Sequence, residues 1–322
     1  MDISEFIRDA GKCDGVLRGI LCSHPNDTVQ KSDGFIFALN CHVLLIDGGM
    51  KDSDVAYERM CALRESICPH GRLRVNWILS HYHVDHISTT IDRILPDTER
   101  FDFEEVYLPP VPKLHYKEGD SVYHRRALRA LEAYAPKAIV HHMQFAAEGG
   151  YREVLDHAGA RVIILPPDCD WSAPAEKDLI INGYFDGDKT CPKINTSIVN
   201  AASSWVKISY AGKKLLFTGD SMKRTATIAD ESFDRMLTLW ADFCKKPDLI
   251  KWPHHGMVRD NAAAGVFSTQ PKHVLTSTQI ETASAFSAEH YPEDYKSARF
   301  HNCAETDVLF TVTPDGNLTF FD

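Results

Sequence analysis

The sequence predicts a layered α/β fold in which short apolar strands alternate with helices. The clearest strand is 74–79, a β-rich apolar run that is followed directly by polar residues. Apolar residues at helical spacing, such as Val122, Leu128 and Leu131, predict a helix between two such strands. Several of the strands end in acidic or imidazole side chains. In layered α/β proteins such strand ends meet in a shared cleft, so we expect the functional site there.

The first part of the chain contains most of the predicted strands. Predicted strands are 15–22, 34–39, 42–46, 74–79, 105–108 and 161–165. Predicted helices are a short one directly after residue 86, one at 122–134 and one at 151–157. Gly48 and Gly49 predict a tight turn after the third strand, and Pro109, Pro110 and Pro112 predict a loop.

The second part of the chain has the same character. Predicted strands are 197–199, 205–210, 214–217, 248–252, 273–276, 308–312 and 317–320, with a helix at 232–244. Turns at 211–213 and 314–316 predict two hairpins. A Gly- and Asp-rich loop at 186–193 divides the two parts. We therefore predict one domain over 1–322 with two halves of similar kind, about 1–190 and 191–322.

Composition excludes some classes of function. The net charge is −10, so the chain has no overall basic surface for nucleic acid or an anionic membrane. No apolar run approaches the roughly 20 residues of a membrane-spanning helix, and the first residues lack the apolar segment of a secretory signal. The nine cysteines are scattered and odd in number, which favours reduced thiols over a disulfide framework. We expect a cytoplasmic protein.

A cluster of metal-binding side chains directly follows strand 74–79. Four of them lie within six residues: His81, His83, Asp85 and His86. His81 and His83 can point the same way while the chain is extended, and the other two can face a second point after a turn. That spacing suits two metal ions side by side, and nitrogen and oxygen donors without thiolate favour Zn, Mn or Fe. The alternative, a polar loop rich in histidine, does not explain why the cluster follows a buried strand.

Three other strand ends carry the same kinds of side chain. Asp47 ends the strand 42–46, Asp220 follows the strand 214–217, and His254 and His255 follow the strand 248–252. Alone, each aspartate is more often a turn former and the two histidines are an ordinary polar loop. Together with the cluster at 81–86 they predict one site.

These motifs, in this order, resemble the metallo-β-lactamase superfamily from about residue 15 to the C-terminus. The matching segments are Asp-Gly-Gly at 47–49, His-x-His-x-Asp-His at 81–86, Thr-Gly-Asp at 218–220 and Pro-His-His-Gly at 253–256. More narrowly, the chain resembles the metallo-hydrolase domain of the DNA-uptake protein ComEC. That branch has an Asn-rich segment ending in Ser, here 194–199, then a His-Pro element near His290 and a final Asp-Gly hairpin at 315–316.

The resemblance implies an αββα sandwich: two mixed β-sheets packed face to face, helices on the outside, and two divalent metal ions at one edge. It implies that His81 and His83 bind the first ion, and that Asp220 bridges both ions. The ligands that it implies for the second ion are Asp85, His86 and His255.

The resemblance also assigns residues around the ligands. Asp47 would orient a ligand histidine through its other ring nitrogen. Asn195 and Ser197 stand where the superfamily has a third histidine, which would leave the first ion with an open face. Within the pair at 254–255, His255 is preferred as the ligand because glycine follows it, and His254 would face the substrate; the choice between them stays open.

The chain departs from the family pattern in two places. Residues 87–90 are Ile-Ser-Thr-Thr where the family often has Ile-Gly-Gly. The stretch 113–171 resembles an insertion of unassigned role. His141 and His142 within it could reach the site, but we expect them on the surface or in the core.

The function that follows is a dinuclear metal-dependent hydrolase, most simply a phosphodiesterase or nuclease-like enzyme with a metal-bound hydroxide as nucleophile. Asp85 or Asp220 would relay a proton, and His254 and His290 would donate to the developing charge. A carboxylic ester, lactone or thioester hydrolase is the alternative, and a non-catalytic binding or regulatory protein is the third. A phosphate substrate needs basic groups near the cleft, but we expect the candidate cations to be solvated surface charges: Lys213, Lys214, Arg224 and Lys251.

The expected partner is a small-molecule or phosphodiester substrate. Nucleic acid is an alternative partner, although the net charge does not favour it. We expect no membrane partner, and the sequence does not predict an oligomeric state.

Overall fold

The computed structural model describes most of the chain. The described residues are 1–24, 32–50, 52–110, 121–145, 153–167, 200, 203–221, 243, 245–256, 271–277, 298–303 and 305–321. The predicted strand 197–199, most of the predicted helix 232–244, and the candidate residues Asn195, Ser197, Arg224 and His290 lie outside them.

The first β-sheet has eight strands in the order β15-β14-β1-β2-β3-β4-β5-β6. Their bounds are β1 Leu17–Leu21, β2 Gly34–Leu39, β3 His42–Asp47, β4 Leu73–Ile78, β5 Phe101–Leu108, β6 Ile139–His142, β14 Val308–Val312 and β15 Leu318–Phe321. The strands β3 to β6 run parallel to one another, and the other neighbours are antiparallel. The sheet is therefore mixed.

The second β-sheet has seven strands in the order β13-β12-β11-β10-β9-β8-β7. Their bounds are β7 Glu153–His157, β8 Ala160–Leu165, β9 Trp205–Tyr210, β10 Lys213–Phe217, β11 Leu249–Lys251, β12 His273–Thr276 and β13 Arg299–Asn302. The strands β10 to β13 are parallel, and β7 to β10 are antiparallel. This sheet is mixed as well.

The two sheets pack face to face through apolar side chains. Successive residues of a strand point to opposite faces, so Phe35 and Phe37 of β2 both face the second sheet. There they meet Phe217 of β10, with ring centroids 5.0 and 5.1 Å apart. The alternate residues Ile36 and Ala38 belong to a second apolar cluster on the other face. Both faces are buried, which explains why the strand is apolar throughout.

The described helices cover the outer face of the first sheet. They are α1 Ile3–Ala10, α2 Val55–Ile67, α3 Val84–Thr89 and α4 Ser121–Tyr134, and a π-helical turn Thr90–Ile94 continues α3. Buried residues of all four helices share one apolar cluster with the outward side chains of the sheet, Trp77 among them. The predicted two mixed sheets with helices outside are confirmed, and most of the helix predicted at 232–244 lies outside the described residues. None of the helices in the described ranges is long and apolar enough to cross a membrane.

Several sequence predictions need correction. Residues 153–157 form the strand β7 and not the predicted helix: Leu155 and His157 face the core, while Val154 and Asp156 are exposed, which is the alternation of a strand. A turn at Ala158 and Gly159, both with positive φ, then pairs β7 with β8. The stretch 113–171 is no simple insertion, since it supplies α4, β6, β7 and β8 to the two layers.

The two sheets divide the chain differently from the predicted halves. β7 and β8 precede the predicted boundary but belong to the second sheet, and the last two strands, β14 and β15, return to the first sheet. The division into similar halves stays a prediction.

The expectation of reduced thiols is wrong for one pair of cysteines. Cys13 and Cys41 form a disulfide with a Cα–Cα distance of 5.3 Å, which joins the segment after α1 to the β2–β3 turn. Cys22 and Cys303 are free and buried, as expected of small core residues.

Candidate metal centre

The site forms where four parallel strands end, two from each sheet. Asp47 ends β3 and His81 follows its parallel neighbour β4, while Asp220 follows β10 and His255 follows its parallel neighbour β11. The carboxyl ends of parallel neighbours meet at one edge of a sheet. Because the two sheets stack, both edges deliver their side chains to one buried cluster.

The Asp220 carboxylate lies at the centre of this cluster. Its Oδ1 is 3.2 Å from His86 Nε2, and its Oδ2 is 3.3 Å from His255 Nε2. The same Oδ2 is 3.6 Å from His254 Nε2 and 3.9 Å from His81 Nε2. Two donors on one tetrahedral ion at about 2.1 Å lie roughly 3.4 Å apart. These separations are therefore compatible with side chains that share an ion.

Two groups of donors converge on Asp220. In one group, donor atoms of His81, His83 and Asp220 lie within 4.8 Å of one another. In the other, donor atoms of Asp33, His86, Asp220 and His255 do so. Asp85 joins the second group, with its Oδ2 3.1 Å from His255 Nε2. The structure thus brings together all six predicted ligands in two overlapping sets.

Local backbone structure separates the two sets. His83 is extended, with φ −98° and ψ 153°, and α3 begins at the next residue. His81 and His83 therefore precede the helix, while Asp85 and His86 lie in its first turn. Gly49 anchors this helix by donating its N–H to the His86 carbonyl. Gly48 must be glycine, because its φ is +149° and a Cβ there would overlap the Thr90 hydroxyl.

Asp47 lies behind His86 and not at the cluster centre. Its Oδ2 is 2.8 Å from His86 Nδ1 and accepts from the Ser80 hydroxyl at 2.9 Å. Its Oδ1 accepts from the Ser80 N–H at 2.7 Å, and its backbone carbonyl accepts from Trp77 Nε1 at 2.8 Å. This arrangement directs His86 Nε2 towards Asp220.

Sequence reasoning missed Asp33, which lies behind His255 in a comparable position. Asp33 is fully buried, and its Oδ1 is 3.1 Å from His255 Nδ1. Its Oδ2 forms an ion pair of 2.7 Å with Lys251, which is also fully buried. The only signal in the sequence is an Asp-Gly pair before β2, a pattern that ordinarily indicates a turn.

Burial and charge shift the pKa values of the cluster in opposite directions. Burial lowers the pKa of His86, but the charges of Asp220 and Asp47 outweigh it and hold that pKa well above its ordinary value. The same balance, with Asp220 and Asp33, raises the pKa of His255 to about 10. Burial and the neighbouring His86 and His83 hold the pKa of His81 well below its ordinary value. The protein thus balances its carboxylates with imidazolium protons, which a bound divalent cation can replace.

The cluster fits a pair of divalent cations. Within the described part of the chain, His81 Nε2, His86 Nε2 and both Asp220 oxygens are buried without a hydrogen bond of normal geometry. Buried polar atoms of this kind point to a missing ion or water. Two buried carboxylates, Asp47 and Asp220, have only histidines as cationic partners in the ion pairs of the described residues. Imidazole nitrogen and carboxylate oxygen are ligands that Zn, Mn and Fe accept.

His254 also points into the cluster. It is 6% exposed, and its Nε2 lies 3.3 Å from the Asn200 side-chain nitrogen as well as 3.6 Å from Asp220. Both His254 and His255 have positive φ, in a 3₁₀ turn at His254–Gly256. Neighbouring residues in this conformation direct both imidazoles to Asp220.

Other candidates lie away from the cluster. His141 belongs to β6, where its ring stacks on Tyr107 with centroids 4.4 Å apart and its Nε2 is 3.3 Å from Glu105. Lys213 lies at the opposite end of β10, where its Nζ is 3.9 Å from Asp248. Lys251 is not the solvated surface charge expected from the sequence, because it is 0% exposed and paired with Asp33.

Comparisons with known proteins find similarity in structure only. No protein-family model matches the chain, and no curated protein sequence matches it. A metallo-β-lactamase fold protein from Bacillus subtilis is similar over 95% of this chain and 100% of its own, with 12% identity and a TM-score of 0.49. Human tRNase Z, short form, is similar over 91% and 97%, with 11% identity and a TM-score of 0.43. A metallo-β-lactamase, described as putative, from Thermotoga maritima is similar over 74% and 97%, with 14% identity and a TM-score of 0.38.

Proposed function

We propose that this chain is a metal-dependent hydrolase that binds two divalent transition metal ions side by side around Asp220. One observation carries the proposal: a single buried carboxylate lies between two sets of imidazoles, with His86 at 3.2 Å, His255 at 3.3 Å and His81 at 3.9 Å. The two oxygens of one carboxylate can bind different ions, which is how dinuclear sites hold their ions at about 3.5–4 Å from each other.

The two overlapping sets of side chains define the ligands of each ion. His81, His83 and Asp220 would hold the first ion. The second ion would be held by Asp85, His86, His255 and Asp220. Zinc is the ion we propose, with manganese or iron as alternatives, because all donors are nitrogen or oxygen.

Each part of the reaction has a candidate residue in the chain. When bound, two such ions lower the pKa of a water molecule and stabilise negative charge on substrate oxygens. Asp85 or Asp220 would accept a proton from the attacking water. His254, next to Asp220, would face the substrate and hold a proton for the leaving group at a ring nitrogen. The burial of Asp220 and His81 keeps bulk water away from the reacting atoms.

A phosphodiester is the substrate class that we propose, and this step rests on the sequence. Asn195 and Ser197 replace the third histidine of the resembled superfamily, which favours a tetrahedral phosphate next to the first ion. The buried Asn200 places an amide donor 3.3 Å from His254 Nε2. We also propose that the chain belongs to the ComEC-like branch that it resembles, and that the protein is cytoplasmic.

A panel of substrates tests the proposed reaction. The protein is loaded with Zn²⁺ and assayed with bis(p-nitrophenyl) phosphate, p-nitrophenyl phosphate, p-nitrophenyl acetate, a lactone and a β-lactam. We expect turnover of the diester. Turnover of the acetate or lactone without the diester would move the assignment to a carboxylic ester or lactone hydrolase. Full metal loading without turnover of any substrate would favour a binding protein.

His254 is tested by replacement with a matched control. We expect His254→Ala to lower the diesterase rate by roughly 10²-fold, the loss typical of a transition-state donor, without changing the metal content. His70→Ala replaces an exposed histidine and should change neither. Loss of one ion in His254→Ala would instead make His254 a ligand.

A further inference from the structure

A fully buried ion pair lies directly behind one of the proposed ligands. Asp33 and Lys251 are both 0% exposed; Lys251 Nζ forms an ion pair with Asp33 Oδ2 at 2.7 Å and donates a hydrogen bond to the Trp252 carbonyl at 2.8 Å. Replacing such a pair by apolar side chains of similar volume is often neutral or stabilising. Fold stability is therefore a weak reason for this pair, and its position next to His255 suggests another.

Asp33 uses its two oxygens for different partners. Oδ2 faces Lys251, whereas Oδ1 lies 3.1 Å from His255 Nδ1 and accepts from the Ser277 hydroxyl in a short hydrogen bond. With Nδ1–H donating to Asp33, a metal ion that displaces the other ring proton meets the lone pair of His255 on Nε2. Nε2 is the atom that lies 3.1 Å from Asp85 and 3.3 Å from Asp220.

The backbone of His255 also depends on this network. His255 has φ +58° and ψ 1°, a left-handed conformation that is unfavourable for a residue with a β-carbon. Such a conformation persists only where neighbouring groups hold it. Ser277 donates its N–H to the His255 carbonyl at 3.1 Å, so it holds the backbone while its hydroxyl holds Asp33.

We propose that the buried Asp33–Lys251 pair is a positioning device for His255, which fixes its Nδ1–H tautomer and directs Nε2 at the second metal ion. The inference rests on the proposed metal site and adds two residues to it. It corresponds to the role of Asp47 behind His86, where the distance from carboxylate to Nδ1 is 2.8 Å. Both histidines of the second site then have a carboxylate behind them, which is the usual way to orient a ligand imidazole.

Asp33 is a positioning residue and not a ligand, although one of its oxygens lies within 4.8 Å of donor atoms of His86, Asp220 and His255. An ammonium group 2.7 Å from Oδ2 would repel a divalent cation at that oxygen. Oδ1 already has Ser277 and His255 as donors. A cation bound by Asp33 would have to displace all three partners.

Metal binding by a double variant tests the proposal. Asp33→Asn combined with Lys251→Met removes the carboxylate and avoids leaving an unpaired buried ammonium group. The control is Asp248→Asn combined with Lys272→Met, an Asp–Lys pair of 2.8 Å at the far end of β11. Each protein is titrated with Co²⁺ in competition with a chromophoric chelator, and the d–d spectrum reports the geometry at each site.

We expect the Asp33/Lys251 variant to bind the second Co²⁺ 10–100-fold more weakly, as lost support behind a ligand histidine usually does. The first ion should bind as in the wild type, and the control should match the wild type at both sites. Unchanged affinity for the second ion overturns the proposal. Complete loss of that ion, equal to the loss in His255→Ala, also overturns it, because Asp33 would then be a ligand.

A measurement on the wild type keeps the proposal testable if the variant does not fold. Long-range ¹H–¹⁵N spectra of the Zn²⁺-loaded protein report the tautomer of each histidine. We expect His255 to carry its proton on Nδ1, and a proton on Nε2 overturns the proposal. Neither experiment uses turnover, so failure of the positioning role is distinct from failure of the proposed hydrolase, in which both ions bind and no ester is cleaved.

Discussion

Replacement of Asp47 by Asn tests how the site holds its ligands. Asp47 has φ +61°, a left-handed conformation that asparagine tolerates and most other residues do not. The substitution therefore keeps size and backbone while it removes one acceptor. In the wild type, Oδ2 faces His86 Nδ1 at 2.8 Å and Oδ1 accepts from the Ser80 N–H at 2.7 Å. An amide can preserve only one of these contacts.

The structure gives the size of the expected effect. If the amide oxygen stays on Ser80, the amide nitrogen faces His86 Nδ1 and favours the tautomer with its proton on Nε2, the atom that lies 3.2 Å from Asp220. That tautomer cannot bind a metal through Nε2. Loss of a partner behind a ligand histidine typically weakens metal binding 10–100-fold, or about 1.4–2.7 kcal/mol. The loss of one hydrogen bond to a charged group has a similar size, about 1.5–3 kcal/mol.

The assay is a Zn²⁺ titration of Asp47→Asn against a competing chelator, with circular dichroism to confirm the fold. Asp102→Asn is the control, since this carboxylate is 43% exposed in a surface ion pair with Arg72, and such pairs contribute about 0–1 kcal/mol. We expect the second ion to bind more weakly in Asp47→Asn and both ions to bind normally in the control. An Asp47→Asn protein that binds the second ion as tightly as the wild type would refute the tautomer reasoning.

Two further predictions concern turnover and pH. Asp85→Ala should lose the second ion and all turnover while its circular dichroism stays native, because the two packed sheets supply the stability; wild-type rates in this variant would contradict the metal mechanism. Burial lowers the pKa of His157 to about 4, so its neutral form is favoured in the folded state. Stability from this group is complete above about pH 6.5 and falls by about 3 kcal/mol as the pH drops to about 4. Urea unfolding of the metal-free protein should show this loss, and His157→Gln should reduce it; equal pH dependence in both proteins would place the origin elsewhere.

The strands that frame the site could be predicted because both of their faces are buried. β4 and β10 are short apolar runs that end abruptly in polar residues, and the structure places them within one residue of their predicted bounds. The cluster at 81–86 could be recognised because four potential ligands follow a strand within six residues. Local sequence therefore contains most of the information on these elements.

Elements that depend on distant contacts could not be predicted. α1 has only eight residues, and its buried Phe6, Ile7 and Ala10 show no pattern until α2 and the first sheet cover them. β7 has an apolar residue, Val154, exposed directly before the buried Leu155, which obscures the alternation of apolar and polar residues typical of a strand. In both cases the partner that decides the structure is far away in the sequence.

Asp33 shows the same limit within the site. It lies 222 residues before His255 and 218 before Lys251 in the chain, yet it contacts both of them. Nothing local marks the residue, because an aspartate before a glycine is typical of a turn. The buried Lys251 was also unpredictable, since an isolated lysine at the end of an apolar strand is almost always exposed.

The most direct test of the two-ion site is an anomalous difference map at the zinc edge from crystals grown with Zn²⁺. We predict two peaks about 3.5–4 Å apart, each about 2.0–2.2 Å from its nitrogen and oxygen ligands. One peak should be bound by His81 and His83, the other by His86 and His255, and Asp220 should bridge them. A single peak or no peak would contradict the dinuclear site and the hydrolase proposed from it, whereas a peak bound by Asp33 would contradict only the positioning role of Asp33.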